Sequence, residues 1–111
     1  MNWILEYLPE AEEDLKRLDG SVKAQVLKGI RKVLQNPLPK EDGGYGSRLG
    51  NKNNNDLTGL LKIKFLRIGI RVVYKNIYDP KKKIMKVIVI SARCDNEVYD
   101  LARKRRKEKG L

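Results

Sequence analysis

Apolar and polar positions recur along this chain with two different periods, and the change from one to the other divides it. Trp3, Ile4, Leu5, Tyr7 and Leu8 crowd into a short apolar run that predicts a first strand over Asn2–Leu8. Pro9 suits a first helical position, and Glu10, Glu12, Glu13 and Asp14 complement the positive end of a helix dipole. Ala11, Leu15 and Leu18 then recur at i, i+4 and i+7, which sets them on one helical face. Gly20 is the expected stop and Ser21 the cap of a second helix. There Val22, Val26, Ile30 and Val33 make a stripe, widened by Leu27 and Leu34 and closed by Asn36-Pro37. So short a break predicts an antiparallel helical hairpin.

Beyond residue 56 the period becomes two. Leu61, Ile63 and Phe65 alternate with Lys62 and Lys64, the pattern of a strand buried on one face. Three strands are predicted: about Leu57–Leu66, Ile70–Tyr78 and Ile84–Ala92, with turns at Gly69 and at Asp79-Pro80-Lys81-Lys82-Lys83. The third is apolar on both sides, so it belongs at the sheet centre. Asp95 or Asn96 is the expected cap of a last helix bearing Val98, Leu101 and Ala102, whose basic end, Arg103–Lys109, is expected to fray. Between the halves, Leu38–Asp56 holds Gly43-Gly44-Tyr45-Gly46 and Asn53-Asn54-Asn55 and reads as a long, floppy loop. The order β-α-α-β-β-β-α predicts an α+β fold: an N-terminal strand, a helical hairpin, a three-stranded antiparallel meander and a C-terminal helix, in two layers.

Composition narrows what such a fold does. At 111 residues the chain is one domain, with no apolar run of the roughly 20 residues a membrane span needs. The first residues carry no basic start before an apolar stretch, so no secretion signal is expected. Cys94 is the single cysteine, which excludes an intramolecular disulfide and favours a reducing cytoplasm. There is no histidine, so acid–base chemistry must fall to other groups, and a zinc site has too few ligands. The net charge of +11 lies wholly in the second half. Residues 1–61 hold nine cations and nine anions, whereas residues 62–111 hold sixteen against five. A field so concentrated is the footprint of a polyanion, nucleic acid first among them.

Lys62 and Lys64 on one strand face, Arg71 on the return strand, Arg93 at the last strand's end and Tyr99 on the last helix converge if the hairpins close as predicted. A lysine among cations has its charged form disfavoured and so approaches use as a base. Arginine offers a fixed fork to phosphate oxygens, and a tyrosine ring can stack on an unpaired base. Together they suit RNA cleavage without a metal or other cofactor: removing a proton from the 2′-hydroxyl, stabilising the phosphorane and supporting the leaving 5′-oxygen.

Lys62-Ile63-Lys64, Gly69-Ile70-Arg71-Val72-Val73-Tyr74, Ser91-Ala92-Arg93 and Glu97-Val98-Tyr99 resemble the RelE branch of the RelE/ParE toxin superfamily. Pro9-Glu10-Ala11, Asp14-Leu15, Leu18 and Asn36-Pro37 are similar too, and only the loop around residues 39–56 departs from the pattern. The resemblance implies the toxin of a bacterial toxin–antitoxin pair, a metal-independent endoribonuclease cutting messenger RNA in the ribosomal A site. It implies catalytic roles for Lys62 and Lys64, with Lys64 the general base. Arg71 would bind phosphate, Arg93 would stabilise the transition state or leaving group, and Tyr99 would stack on the substrate. Arg67, Arg48, Lys52 and Arg103 are further candidates for touching RNA. The implied partners are a cognate antitoxin, messenger RNA with the 70S ribosome, and operator DNA only together with the antitoxin. Two other functions fit the same pattern: a ParE-like gyrase inhibitor, and a non-catalytic module that binds nucleic acid or the antitoxin.

Overall fold

The computed structural model describes residues 2–52 and 55–111, and no side chain is considered at Asn51, Lys52 or Asn55. The expected RNA contact of Lys52 and the Asn53-Asn54 part of the loop therefore lie outside the described residues. The elements run β1 (Trp3–Tyr7), α1 (Pro9–Lys16), α2 (Gly20–Leu34), β2 (Ser47–Lys52), β3 (Asn55–Phe65), β4 (Ile70–Asp79), β5 (Lys82–Ser91) and α3 (Asp95–Glu108). The α+β fold is as expected, but the sheet is not a simple meander. Its strands lie in the order β1-β5-β4-β3-β2, with β1 parallel to β5 and every other pairing antiparallel. As its two-sided apolar pattern predicts, β5 is interior, between β1 and β4.

The caps differ from those read in the sequence. Asp19, not Ser21, caps α2, accepting from the backbone N–H groups of Ser21 and Val22 at 3.0 and 3.2 Å. Gly20 therefore begins α2 instead of ending α1. Cys94 holds the cap position of α3 without a side-chain bond, and Asp95 is the first helical residue. The basic end of α3 does not fray. Arg105 and Arg106 tie it to Asp14, Ile88 and Thr58, and helix persists to Glu108.

The helical hairpin packs on one face of the sheet, where Ala11, Val26, Ile30 and Val33 join the strands in one buried cluster, and α3 packs on the other, so helices cover both faces and the layers number three instead of the expected two. A Cβ on Gly29 of α2 would lie 2.2 Å from the Phe65 ring, so this face of β3 touches α2 closely. The alternation of β3 then turns Lys62 and Lys64 to the opposite face, where α3 crosses and buries Val98, Tyr99 and Ala102. In β5, Ile88 is an extra residue between the pairs Val87–Tyr74 and Val89–Val73. The bulge turns Ile88 and Ile90 backbone groups outward beyond the end of β1, where Arg105 and Asp14 satisfy them at 2.9 and 3.1 Å.

The segment expected to be floppy is fastened. Tyr45 and Gly46 donate backbone bonds to Asn36 and Leu38, and Lys40 donates to Gly46, each at 2.9–3.0 Å. Buried Tyr74 and half-buried Asn76 both donate to the Pro37 carbonyl. The second part of the segment forms β2, which lengthens the sheet beside β3. Gly46 has no room for a side chain: a Cβ there would stand 2.0 Å from the Tyr74 hydroxyl oxygen. Gly46→Ala should therefore destabilise the protein by about 1–3 kcal/mol, the usual cost of overpacking, measured by urea denaturation.

Candidate active site

Cross-strand register brings the first three cations together. Lys64 of β3 pairs directly with Arg71 of β4, and paired residues share a sheet face. Lys62 lies two residues from Lys64 on that same face. Like charges so placed repel, and an anion resolves the conflict. One Asp95 oxygen lies 3.4 Å from Lys64 Nζ, and the other accepts from Arg71 Nε. Arg71 also donates through Nη1 to the Arg93 carbonyl at 3.1 Å, which fixes its guanidinium plane from a second side. Burial pushes the Asp95 carboxyl up, but the Arg71 hydrogen bond, the Arg71 charge and Lys64 outweigh it, so its pKa is lowered. One carboxylate is thus held by its two oxygens between an ammonium and a guanidinium.

Lys62 has a different environment. Its Nζ donates to the Tyr99 hydroxyl at 3.4 Å and lies 6.0 Å from the centre of the Tyr99 ring. Burial, first, and then the Lys64 charge lower its pKa, with Arg71 and Lys40 adding to the effect and Asp95 opposing it. The Tyr99 hydroxyl moves up, through burial and then the Asp95 charge. Lys62 is thus an amine moved toward its neutral form, facing a phenol that keeps its proton.

No family model and no curated protein matches the sequence. Solved structures do match the fold. E. coli toxin RelE, as a mutant in the free state, is similar with 26% identity and a TM-score of 0.69, over 95% of this chain and 98% of that one. The isolated E. coli RelE toxin matches with 26% identity and a TM-score of 0.65, over 93% and 97% of the two chains. The RelE mutant bound to a peptide of antitoxin RelB matches with 26% identity and a TM-score of 0.63, over 95% and 98%. The chain is similar to RelE toxins over nearly its whole length.

Four of the five expected residues meet through their side chains: Lys62, Lys64, Arg71 and Tyr99. Arg93 joins through its carbonyl, while its exposed side chain lines a separate cleft of about 370 Å3 beside Asp14 and Arg17. Tyr99 is not an open stacking surface. The residue is 3% exposed, because α3 turns it inward with Val98 and Ala102, and its hydroxyl meets Lys62. Among the outer candidates, Arg67 is exposed in the β3–β4 turn and Arg103 is exposed on α3, one turn beyond Tyr99. Arg48 is drawn elsewhere: it pairs with Glu41 and Asp42 at 2.9 and 3.3 Å, on the face opposite Ser47. The residue that sequence reasoning missed is Asp95, taken only for a helix cap. Its signal was its rarity, as one of five acidic residues in the basic half, two positions after Arg93.

Proposed function

We propose that the chain is the toxin of a toxin–antitoxin pair and acts as a metal-independent endoribonuclease on messenger RNA. The observation that carries this reading is the division of labour among the cations. Lys62 is moved toward its neutral form, while Lys64 and Arg71 together grip one anion. An RNA phosphate would displace the Asp95 carboxylate and take its oxygens' places on Lys64 and Arg71. Neutral Lys62 accepts the 2′-hydroxyl proton, the 2′-oxygen forms its bond to phosphorus, and the bond from phosphorus to the 5′-oxygen breaks. The Lys64 ammonium gives a proton to the departing oxygen, and Arg93 swings in to stabilise it. The products are a 2′,3′-cyclic phosphate and a 5′-hydroxyl, and solvent exchange resets both lysines. Assigning Lys62 as base reverses the order implied by family resemblance, on the strength of its burial against Tyr99.

The partners that fit this reading are messenger RNA in the A site of the 70S ribosome and an antitoxin that covers the same basic face. The solved complex of an E. coli RelE mutant with an antitoxin peptide supports an antitoxin as a partner. An acidic or amphipathic antitoxin segment would compete with RNA for Lys64 and Arg71, and operator DNA would be bound only with that antitoxin. No helix among the described residues is long and apolar enough to cross a membrane.

Expression of the wild-type chain should arrest bacterial growth and fragment messages, and Arg71→Ala should relieve both. Arrest with trapped gyrase complexes and intact messages would contradict the reading. Asp95→Asn removes the anion that favours charged Lys62, so the rising limb of the pH–rate profile should move to lower pH. An unchanged or alkaline-shifted limb would separate Lys62 from the base role.

A further inference from the structure

Next to the catalytic lysines lies a second concavity that the cutting chemistry leaves unused. Lys40, Tyr45, Ser47 and Leu66, together with Lys62 and Lys64, line a cleft of about 310 Å3. Among the described residues, no carboxylate lines it. The acids of the neighbouring turn, Glu41 and Asp42, are held by Arg48. Ser47 is placed by its pairing with Lys62, and Lys40 is close enough for its charge to lower the Lys62 pKa. The cleft and the cutting site therefore share two lysines and one electrostatic field.

Tyr45 has what Tyr99 lacks. The residue is 47% exposed, yet its backbone is fixed by the bond to Asn36 and by the crowded Gly46 that follows. An aromatic ring open to solvent on a fastened loop can accept a base without first losing much freedom. Lys32 of α2 lies 5.5 Å from the centre of that ring, adding a further cation alongside. Leu66, 84% exposed at the end of β3, presents apolar surface to the same cleft.

We propose that this cleft is a nucleotide subsite for single-stranded RNA, flanking the scissile phosphate, with a base stacked on Tyr45 and the adjoining phosphate on Lys40. That the phosphate on Lys62 and Lys64 is the one cut rests on the nuclease reading above; the stacking itself does not. Because every base has an aromatic face, the subsite adds affinity without strong sequence preference. It also gives a function to the part of the chain that departs from the family pattern.

The test uses full-length protein and a fluorescent single-stranded RNA with 2′-O-methyl groups throughout, which cannot be cut. Fluorescence anisotropy should show Tyr45→Ala binding about tenfold more weakly than wild type, the scale of one lost stacking contact. Tyr45→Phe, which keeps the ring, should bind like wild type. Equal binding by Tyr45→Ala, an equal loss in Tyr45→Phe, or no binding by wild type would each overturn the subsite. Unmodified RNA of the same sequence, run in parallel in a translating extract, reads the nuclease separately. Uncut RNA with the Tyr45 binding effect intact would remove the nuclease reading and leave the subsite standing.

Discussion

Replacing Lys62 with alanine is expected to slow RNA cleavage by roughly 10²- to 10⁴-fold, the range over which a positioned acid–base group acts. The reason is local. Lys62 is packed against Tyr99, and its ammonium is disfavoured by burial and by Lys64. Lys62→Arg separates proton transfer from charge, because arginine keeps its proton at any working pH while still attracting phosphate. That variant should bind RNA near the wild-type level yet cut as poorly as the alanine form. The pH dependence has a definite sign. A lysine acting as base works in its neutral form, so the rate rises with pH as Lys62 loses its proton. Since that pKa is lowered from the ordinary 10.5, the midpoint of the rise should fall below pH 10.5. Single-turnover rates across pH check this, and a Lys62→Arg enzyme with wild-type rates would remove Lys62 from the proton-transfer step.

Asp14→Ala is expected to reduce global stability by about 3–5 kcal/mol, the cost of leaving one member of a buried ion pair uncompensated. The Asp14 and Arg105 side chains are only 9% and 11% exposed, and Arg105 reaches both Asp14 oxygens through its two terminal nitrogens, at 2.6 and 3.3 Å. Asp14 also accepts from the Ile90 N–H, which has lost β1 as a neighbour. Truncation thus strands a guanidinium and a backbone donor together. It also loosens α3, which carries Asp95 and Tyr99 into the site. Asp14→Ala combined with Arg105→Met should recover much of the loss, because an apolar replacement of both partners strands no charge. Urea denaturation of the four proteins measures this cycle. A loss under about 1 kcal/mol in Asp14→Ala, typical of exposed pairs, would show that the clasp is not structural.

What the sequence revealed follows from which interactions are local. The helical stripe of α2 and the alternation in β3 are periodic signals set by neighbouring residues, and the structure reproduces them, whereas α1 ends at Lys16 and leaves Leu18 of its expected stripe beyond the helix. The shared face of Lys62, Lys64 and Arg71 needed only a strand period and one tight turn, which Gly69 makes at φ +66°. Strand β2 was hidden because Ser47-Arg48-Leu49-Gly50 is glycine-bearing and polar, and the strand is stabilised by pairing with β3 more than by its own propensity. The same holds for the parallel pairing of β1 with β5 and for the fastened turn at Asn36–Gly46, whose partners are distant in sequence. Residue identity alone likewise could not separate the two tyrosines. Helix α3 buries the ring of Tyr99, whereas an ordered loop exposes that of Tyr45. Asp95 was legible as a helix-start residue, but its bridge to Lys64 and Arg71 depends on three elements meeting.

The central claim is that one amine takes a proton from RNA while a neighbouring pair of cations holds the phosphate being cut. Mapping both new RNA ends in a translating extract, with wild type, Lys62→Arg and Arg71→Ala, tests it most directly. The account predicts cuts within translated messages that leave 2′,3′-cyclic phosphates and 5′-hydroxyls with wild type, and almost none with either variant. Intact messages with the wild-type protein, 5′-phosphate ends, or equal cutting by the variants would contradict it.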